Sequence, residues 1–210
     1  MAFDYKKEFK EFYQPKGKPE ILEIPSMNFV AVRGKGNPND EDGEYKKAIE
    51  MLYALSYTLK MSYKGDYKIE NYFQYVVPPL EGFWWQENIK GVDLSNKDKF
   101  QWISLIRLPD FITKEDFNWG IEEGTKKKKI DLSKLEFISI TEGLVVQMLH
   151  IGPYDTEVET VKIMEDYMIE NGYEYDFNDS RHHHEIYLSD PRRTAPEKLK
   201  TIIRHPIRKK

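Results

Sequence analysis

The sequence predicts an α+β fold built from two strand–helix–strand–strand modules, related by a pseudo-twofold axis, with a central ligand cleft. A strand, a glycine-rich turn and an amphipathic helix occupy residues 29–62, and the same order recurs over residues 144–172. Recurrence at a fixed offset is typical of an internal duplication. Two packed halves leave a cleft at their seam, where small ligands are usually held.

One domain over residues 1–210 is expected from the length of the chain, since a domain of this size buries a substantial core. Its parts are a first half over about 20–110, a helical connector over 111–133 and a second half over about 134–207.

The first half follows from apolar spacing and turn residues. Its predicted elements are a short edge strand at 20–24, a strand at 29–33, a helix over about 44–62 with Asp42 as N-cap, and strands near 67–77 and 100–108. A short amphipathic helix is expected before it, over 4–13, and residues 78–85 are expected to form a connecting turn.

The connector and the second half carry clearer helix signals. Thr113 with Asp116, and Thr156 with Glu159, resemble capping boxes, in which N-cap and N3 side chains bond each other's backbone. The remaining predicted elements are a helix over 113–124, a lysine-rich solvated segment at 126–129, a strand at 144–151, a helix over about 156–171, a strand at 183–188 and a last strand near 201–207.

Composition excludes several classes of protein. The formal charge is −4 and the pI is about 5.8, which argues against a dedicated nucleic-acid binder. The chain has no cysteine, which removes disulfides, thiol nucleophiles and cysteine metal sites. No apolar run approaches the roughly 20 residues that span a bilayer, and no signal peptide is evident, so we expect a cytoplasmic protein without membrane contact.

Glu185 is the most informative ionisable residue. Alternate residues of a strand share a face, so Ile186 and Leu188 should point into a helix-covered core while Glu185 and Tyr187 point the other way. A carboxylate in an aromatic cleft tends to have a raised pKa, which suits a general acid or base. A fully solvated Glu185 on an open sheet face fits the pattern equally well. Glu81, in the expected turn, is a second and weaker acid–base candidate.

Aromatic residues are frequent, with 14 Tyr, 11 Phe and 4 Trp. Trp84 and Trp85 are adjacent, so a strand would send them to opposite faces, one to the core and one to a cavity. Trp102 and Trp119 are further candidates for the ligand cleft, although core packing is the commoner role of any single tryptophan.

The three consecutive histidines, His182 to His184, do not predict a metal site. A strand spreads consecutive side chains over both faces, and no helical ligand spacing accompanies them. His150 is expected to be a half-buried, hydrogen-bonded residue with an optional role in the pocket. We therefore expect neither a metal nor an organic cofactor.

Several segments, in order, resemble the GyrI-like small-molecule-binding family, in particular its freestanding branch without a DNA-binding domain. The matching segments are Ile24-Pro25-Ser26-Met27, Gly34-Lys35-Gly36-Asn37-Pro38-Asn39, Ile49-Glu50-Met51-Leu52-Tyr53, residues 78–85, residues 109–117 and residues 184–191. The resemblance implies a duplicated fold with a pocket between the halves, and a pocket glutamate that matches Glu185.

The resemblance leaves three functions open. Some freestanding members look like hydrolases that open the cyclopropane ring of cyclopropanoid DNA-alkylating toxins. In that case Glu185 would activate water, the four tryptophans would stack on the polycyclic body, and Tyr154 or Tyr187 would stabilise the phenolate. A non-catalytic module that binds aromatic or cationic drugs would use the same pocket. Contact with gyrase is a third option, for which the sequence holds no specific support.

Overall fold

A computed structural model describes residues 2–210 and has an antiparallel sheet at its centre. Its strands are β1 (Glu20–Lys35), β2 (Leu80–Trp85), β3 (Gln101–Arg107), β4 (Glu136–Ile151), β5 (Tyr173–Tyr175), β6 (His183–Tyr187) and β7 (Lys200–Lys209). Its helices are α1 (Tyr5–Glu8), α2 (Lys10–Tyr13), α3 (Glu44–Lys60), α4 (Lys114–Lys128) and α5 (Glu157–Glu170).

The sheet closes into a barrel. The strand order is β4-β1-β3-β2-β6-β7, and a further pairing of β4 with β7 joins the ends, while β5 adds to β7 outside the ring. The first half pairs β1–β3 and β3–β2, and the second repeats this as β4–β7 and β7–β6. The halves meet through β1–β4 and β2–β6. This order confirms the predicted α+β fold of duplicated modules.

The helices cover the outer face of the barrel. Leu52, Leu55 and Leu59 of α3 are fully buried and pack in a core cluster with Val30 of β1 and Trp102 of β3. In the second half, Met164 and Met168 of α5 pack on strands β4 and β7. Burying an apolar stripe at helical spacing is what holds helices of this length in place.

The barrel interior faces α1 and α2. Gln147 and Arg204 point inward and donate hydrogen bonds to the backbone carbonyls of Glu11 and Phe12. The guanidinium of Arg107 lies 4.6 Å from the ring centroid of Phe9. The N-terminal segment is therefore held by polar and charged side chains inside the barrel.

The predicted strand near 67–77 was wrong, and so was the turn predicted over 78–85. Residues 80–85 form β2, whereas 67–77 is irregular and makes one isolated bridge, between Phe3 and Tyr75. The tyrosine side chains of residues 67–77 pack on helices and on Phe111. The segment is therefore rich in tyrosine because of side-chain packing, without the backbone pairing of a strand.

Other element boundaries also differ from expectation. The helix at 4–13 is broken at Phe9, and each main strand that opens a half is 16 residues long rather than five to eight. Gly43 rather than Asp42 is the N-cap of α3. The capping box of Thr113 and Asp116 is confirmed, but Thr156 makes no capping bond to its helix.

Within residues 2–210, no helix is both long and apolar enough to cross a membrane.

Gly34→Ala is expected to destabilise the protein by about 1–3 kcal/mol, the usual cost of overpacking a core. A Cβ at Gly34 of β1 would lie 2.3 Å from the ring of Trp102, which is buried at the centre of its cluster. Urea denaturation would measure the change. Gly17→Ala is the matched control, because a Cβ there meets nothing within 4 Å. Equal unfolding midpoints for Gly34→Ala and the wild type would contradict this packing.

Candidate functional site

Three ionisable side chains converge on the outer face of β6, beside the first turn of α5. His183 and Glu185 alternate along β6 and share that face, and Nε2 of His183 lies 3.0 Å from Oε1 of Glu185. Glu157, the first residue of α5, brings its Oε2 to 3.8 Å from the same nitrogen. All three side chains are buried. They are called the outer cluster below.

A glycine on the neighbouring strand makes room for the aromatic floor of this cluster. Gly82 of β2 pairs with Glu185, and a Cβ there would lie 2.7 Å from Nε1 of Trp84 and 3.2 Å from the hydroxyl of Tyr187. With no side chain at that point, Trp84 donates a 3.0 Å hydrogen bond to the Tyr187 hydroxyl. The floor beside Glu185 is therefore a tryptophan bonded to a tyrosine.

Tyr45 and Tyr154 bring aromatic rings to this floor from α3 and from the turn before α5. The ring of Tyr45 lies 5.2 Å from Trp84, and that of Tyr154 meets Tyr187 edge-on at 5.8 Å. Burial, with help from the Glu185 carboxylate, raises the pKa of Tyr154 to about 12 and that of Tyr187 well above its usual value. Both hydroxyls therefore stay protonated at neutral pH and can donate hydrogen bonds.

His205 of β7 supports His183 from behind. Its Nε2 lies 2.7 Å from Nδ1 of His183, and burial lowers its pKa well below the usual value, with His183 adding to the effect. A neutral His205 can donate to His183 or accept from it. The orientation of the His183 ring is thus held by a second imidazole, and the direction of this hydrogen bond determines the tautomer of His183.

Glu157 is the least satisfied member of the cluster. Neither of its carboxylate oxygens has a hydrogen-bond partner among residues 2–210, although the side chain is 2% exposed. Burial raises the pKa of Glu157 well above its usual value, and the nearby Glu185 raises it further. Burying an ionised carboxylate without a partner costs several kcal/mol of desolvation free energy. Glu157 must therefore be protonated or be paired with a ligand or a cation.

A groove of about 610 Å³ reaches one member of this cluster, His183, from the surface. Its walls are the loops at 86–91 and 177–182, and Trp84 and His183 line it as well. In one wall the rings of Trp85 and His182 stack at 4.2 Å. The volume lies within the range of small-molecule pockets.

Glu81 lies on the opposite face of the sheet from Glu185. It belongs to β2 rather than to a turn, pairs with Ile186, and is 1% exposed inside the barrel. Ile186 points into the barrel interior, where it packs in one cluster with Tyr5 of α1 and Tyr13 of α2. The structure therefore separates the two glutamates that were predicted as acid–base candidates.

Glu81 takes part in a buried ion-pair chain, called the inner network below. Oε2 of Glu81 lies 3.1 Å from Nε2 of His184, whose Nδ1 lies 2.9 Å from Glu142. Arg204 contacts the other oxygen of Glu142 at 3.0 Å. Burial opposes these charges, yet Glu142 and Glu81 raise the pKa of His184 to about 9, and His184 and Arg204 lower that of Glu142 to about 2.

The remaining predicted residues have partners of their own. Trp102 is buried in the core beneath Tyr45. Trp119 stacks on Tyr67 at 4.2 Å, in a separate groove of about 370 Å³. His150 donates from Nε2 to the carbonyl of Pro153, so its Nδ1 accepts from Thr160. Both of its nitrogens are therefore occupied.

Sequence reasoning missed Glu157, His183, His205 and Tyr45. The alternation that selected Glu185 and Tyr187 also places His183 on their face, and this signal was masked by treating the three histidines as one group. The other three lie on elements distant in sequence, and no local pattern indicates that they meet β6.

A family model described as the GyrI-like small molecule binding domain matches residues 17–208. The chain belongs to the GyrI-like family. No curated protein matches the sequence. The resemblance inferred from the sequence segments is thereby confirmed, and a small molecule is the ligand class of this domain.

Solved structures extend the comparison of this GyrI-like protein. A hydrolase from Listeria innocua is 46% identical, with a TM-score of 0.90, over 99% of this chain and 100% of that one. An uncharacterized conserved protein from the same organism is 48% identical, with a TM-score of 0.93 and the same coverage. The EcmrR C-terminal domain is 14% identical, with a TM-score of 0.56 over 92% of this chain and 98% of its own, and shares the fold.

The stability of this GyrI-like domain is expected to fall between pH 6.5 and about 9. The pKa of His184 is raised from 6.5 to about 9 on folding, so its contribution is full below pH 6.5 and is lost as pH rises through 9. The loss should be on the order of 3 kcal/mol. Urea denaturation across this range would measure it.

His184→Gln should abolish most of this slope and lower stability at pH 6.5, because it leaves the buried Glu81 without its cationic partner and Glu142 with Arg204 alone. His182→Gln is the matched control, since burial lowers rather than raises the pKa of His182, and it should keep the wild-type slope. A flat wild-type curve from pH 6.5 to 9 would contradict a charged His184.

Proposed function

We propose that this protein is a hydrolase that adds water to an electrophilic aromatic compound, specifically to the cyclopropane ring of cyclopropanoid DNA-alkylating toxins. The observation that carries the proposal is the buried Glu185 carboxylate beside the Trp84–Tyr187 floor, together with a groove that Trp84 and His183 line. Glu185 and Tyr187 share one face of β6, and His183 fixes one oxygen of Glu185. A base and hydroxyl donors therefore face the same space.

Similarity to a hydrolase supports an enzymatic role. The Listeria innocua hydrolase aligns with nearly the whole chain at 46% identity. The family model adds small-molecule binding. The cyclopropanoid substrate is a proposal that rests on the family resemblance and on the aromatic site.

The proposed reaction needs one base and one hydrogen-bond donor. Glu185 takes a proton from water, whose oxygen forms a bond to the strained ring carbon. The cyclopropane C–C bond breaks, and its electron pair flows into the conjugated dienone, whose oxygen becomes a phenolate. Tyr187 or Tyr154 donates a hydrogen bond to that oxygen as charge develops, and the proton held by Glu185 finally yields the phenol.

Aromatic side chains would hold the flat body of such a compound. Trp84 and Tyr154 flank the cluster, and the stacked Trp85 and His182 stand in the groove wall. Stacking on rings adds about 0.5–1.5 kcal/mol per contact beyond area burial. Trp102 and Trp119, which lie elsewhere, would then contribute to stability rather than to binding.

Glu185→Gln is expected to lower the turnover rate by about 10²–10⁴-fold while the compound still binds, because the amide cannot accept the proton of water. Purified protein would be mixed with a tenfold excess of a duocarmycin-type cyclopropanoid, and the gain of one water followed by mass spectrometry. Glu122→Gln, at an exposed position of α4, is the matched control. Turnover in Glu185→Gln equal to the wild type would contradict the role of Glu185.

Binding without turnover is the second candidate function. It is favoured by one observation, namely that Glu157 and Glu185 place two buried carboxylates beside aromatic rings, an arrangement that suits an aromatic cation.

Under this second candidate, a rhodamine-type dye should bind, and Glu185→Gln should weaken it by at least about tenfold through loss of a buried charge. Fluorescence anisotropy would measure both affinities, with Glu122→Gln again as the control. Equal dye affinity in the wild type and Glu185→Gln would exclude cation recognition at Glu185.

A further inference from the structure

We propose that Glu157, His183 and Glu185 bind a divalent metal ion of the zinc class. One oxygen of each glutamate and one nitrogen of His183 all lie within 4.8 Å of one another, and all three residues are buried. The expectation of no metal site rested on three consecutive histidines failing to converge. Only His183 of the three takes part, together with two glutamates from elsewhere in the fold.

The distances fit a compact coordination sphere. Zinc lies about 2.0–2.2 Å from nitrogen and oxygen ligands, so tetrahedral donors are separated by roughly 3.3–3.6 Å. The His183 nitrogen is 3.0 Å from Glu185 and 3.8 Å from Glu157, values on either side of that range. The two carboxylate oxygens lie within 4.8 Å of each other, and side-chain rotations would bring all three donors to the zinc spacing.

The charge of the cluster supplies an independent reason. Both oxygens of Glu157 lack a hydrogen-bond partner within the part of the chain described, and Glu185 stands beside it. A proton on Nε2 of His183 can serve Glu185, but at 3.8 Å it does not satisfy Glu157. A divalent cation between the three donors would neutralise both carboxylates at once.

His205 is placed as a supporting residue for a metal ligand. Ligating histidines usually donate their other ring N–H to an acceptor that fixes the tautomer. Nδ1 of His183 lies 2.7 Å from Nε2 of His205, a ring nitrogen that can accept this hydrogen bond. Nε2 of His183 is then left with its lone pair facing the two carboxylates.

The donor set also selects the kind of ion. One imidazole and two carboxylates suit zinc, cobalt or manganese, whereas calcium and magnesium need more oxygen ligands than are gathered here. Three protein ligands leave a fourth position for water or a ligand. The groove that His183 lines gives that position a route to solvent.

The inference goes beyond the proposed hydrolase function, and metal binding can be measured without any substrate. One oxygen of Glu185 would ligate the ion, and the other would remain as the proton acceptor of the proposed reaction. Tag-free protein would be stripped with a strong chelator, dialysed, and titrated with Co²⁺ and Zn²⁺. We expect about one ion per chain, with the visible absorption of tetrahedral Co²⁺ lost on adding Zn²⁺. Glu157→Gln should weaken binding by more than about tenfold, since even changes around a ligand cost that much.

His182→Ala is the matched control, because His182 adjoins the site in sequence but points to the other face and stacks on Trp85. It should leave the Co²⁺ spectrum and the affinity unchanged. Failure of wild-type protein to bind about one ion, or equal weakening by His182→Ala and Glu157→Gln, would overturn the proposal. Should Glu157→Gln fail to fold, the wild-type titration and His182→Ala still decide between these outcomes.

Discussion

The ion pairs inside the barrel fix the strand on which the site depends. β6 is only five residues long, yet its inward residue His184 is held between Glu81 and Glu142, and Arg204 holds Glu142 in turn. Because side chains alternate along a strand, fixing His184 inward also fixes His183 and Glu185 outward. The inner network thus sets the position of the outer cluster without touching a ligand.

Both faces of β6 carry histidine and glutamate side chains, but the two sets differ in their hydrogen-bond and ion-pair partners. Inside, each carboxylate that contacts His184 has a cationic partner, and the pKa shifts of His184 and Glu142 both favour their charged forms. Outside, Glu157 has no hydrogen-bond partner in the described chain, and its pKa shift favours the neutral acid. Buried polar groups without partners are commonest at functional sites, so the outer cluster is the candidate functional site.

Much of the fold could be predicted from the sequence, because its signals are local. The repeated strand, turn and helix predict the duplicated modules, and the Thr113–Asp116 capping box marks α4. The strand β2 was missed because adjacent prolines, glycine and tryptophans read as a turn, while its backbone partners β3 and β6 are distant in sequence.

The candidate site was predictable only where it lies on one strand. Alternation places Glu185 and Tyr187 together, but the approach of Glu157 and Tyr45 depends on how α5 and α3 dock, which no local pattern encodes. Trp102 and Trp119 are of a residue type common in ligand sites, but Trp102 packs in the core and Trp119 lines a separate groove.

The two halves of this domain also differ in what their helices do. The first half buries α3 in a large core, whereas α5 starts with Glu157 and leaves Val158 and Ile163 exposed. Substitutions near the start of α5 would therefore alter the outer cluster while leaving the core around α3 unchanged, so the duplicated architecture lets one copy vary where the other is constrained by packing.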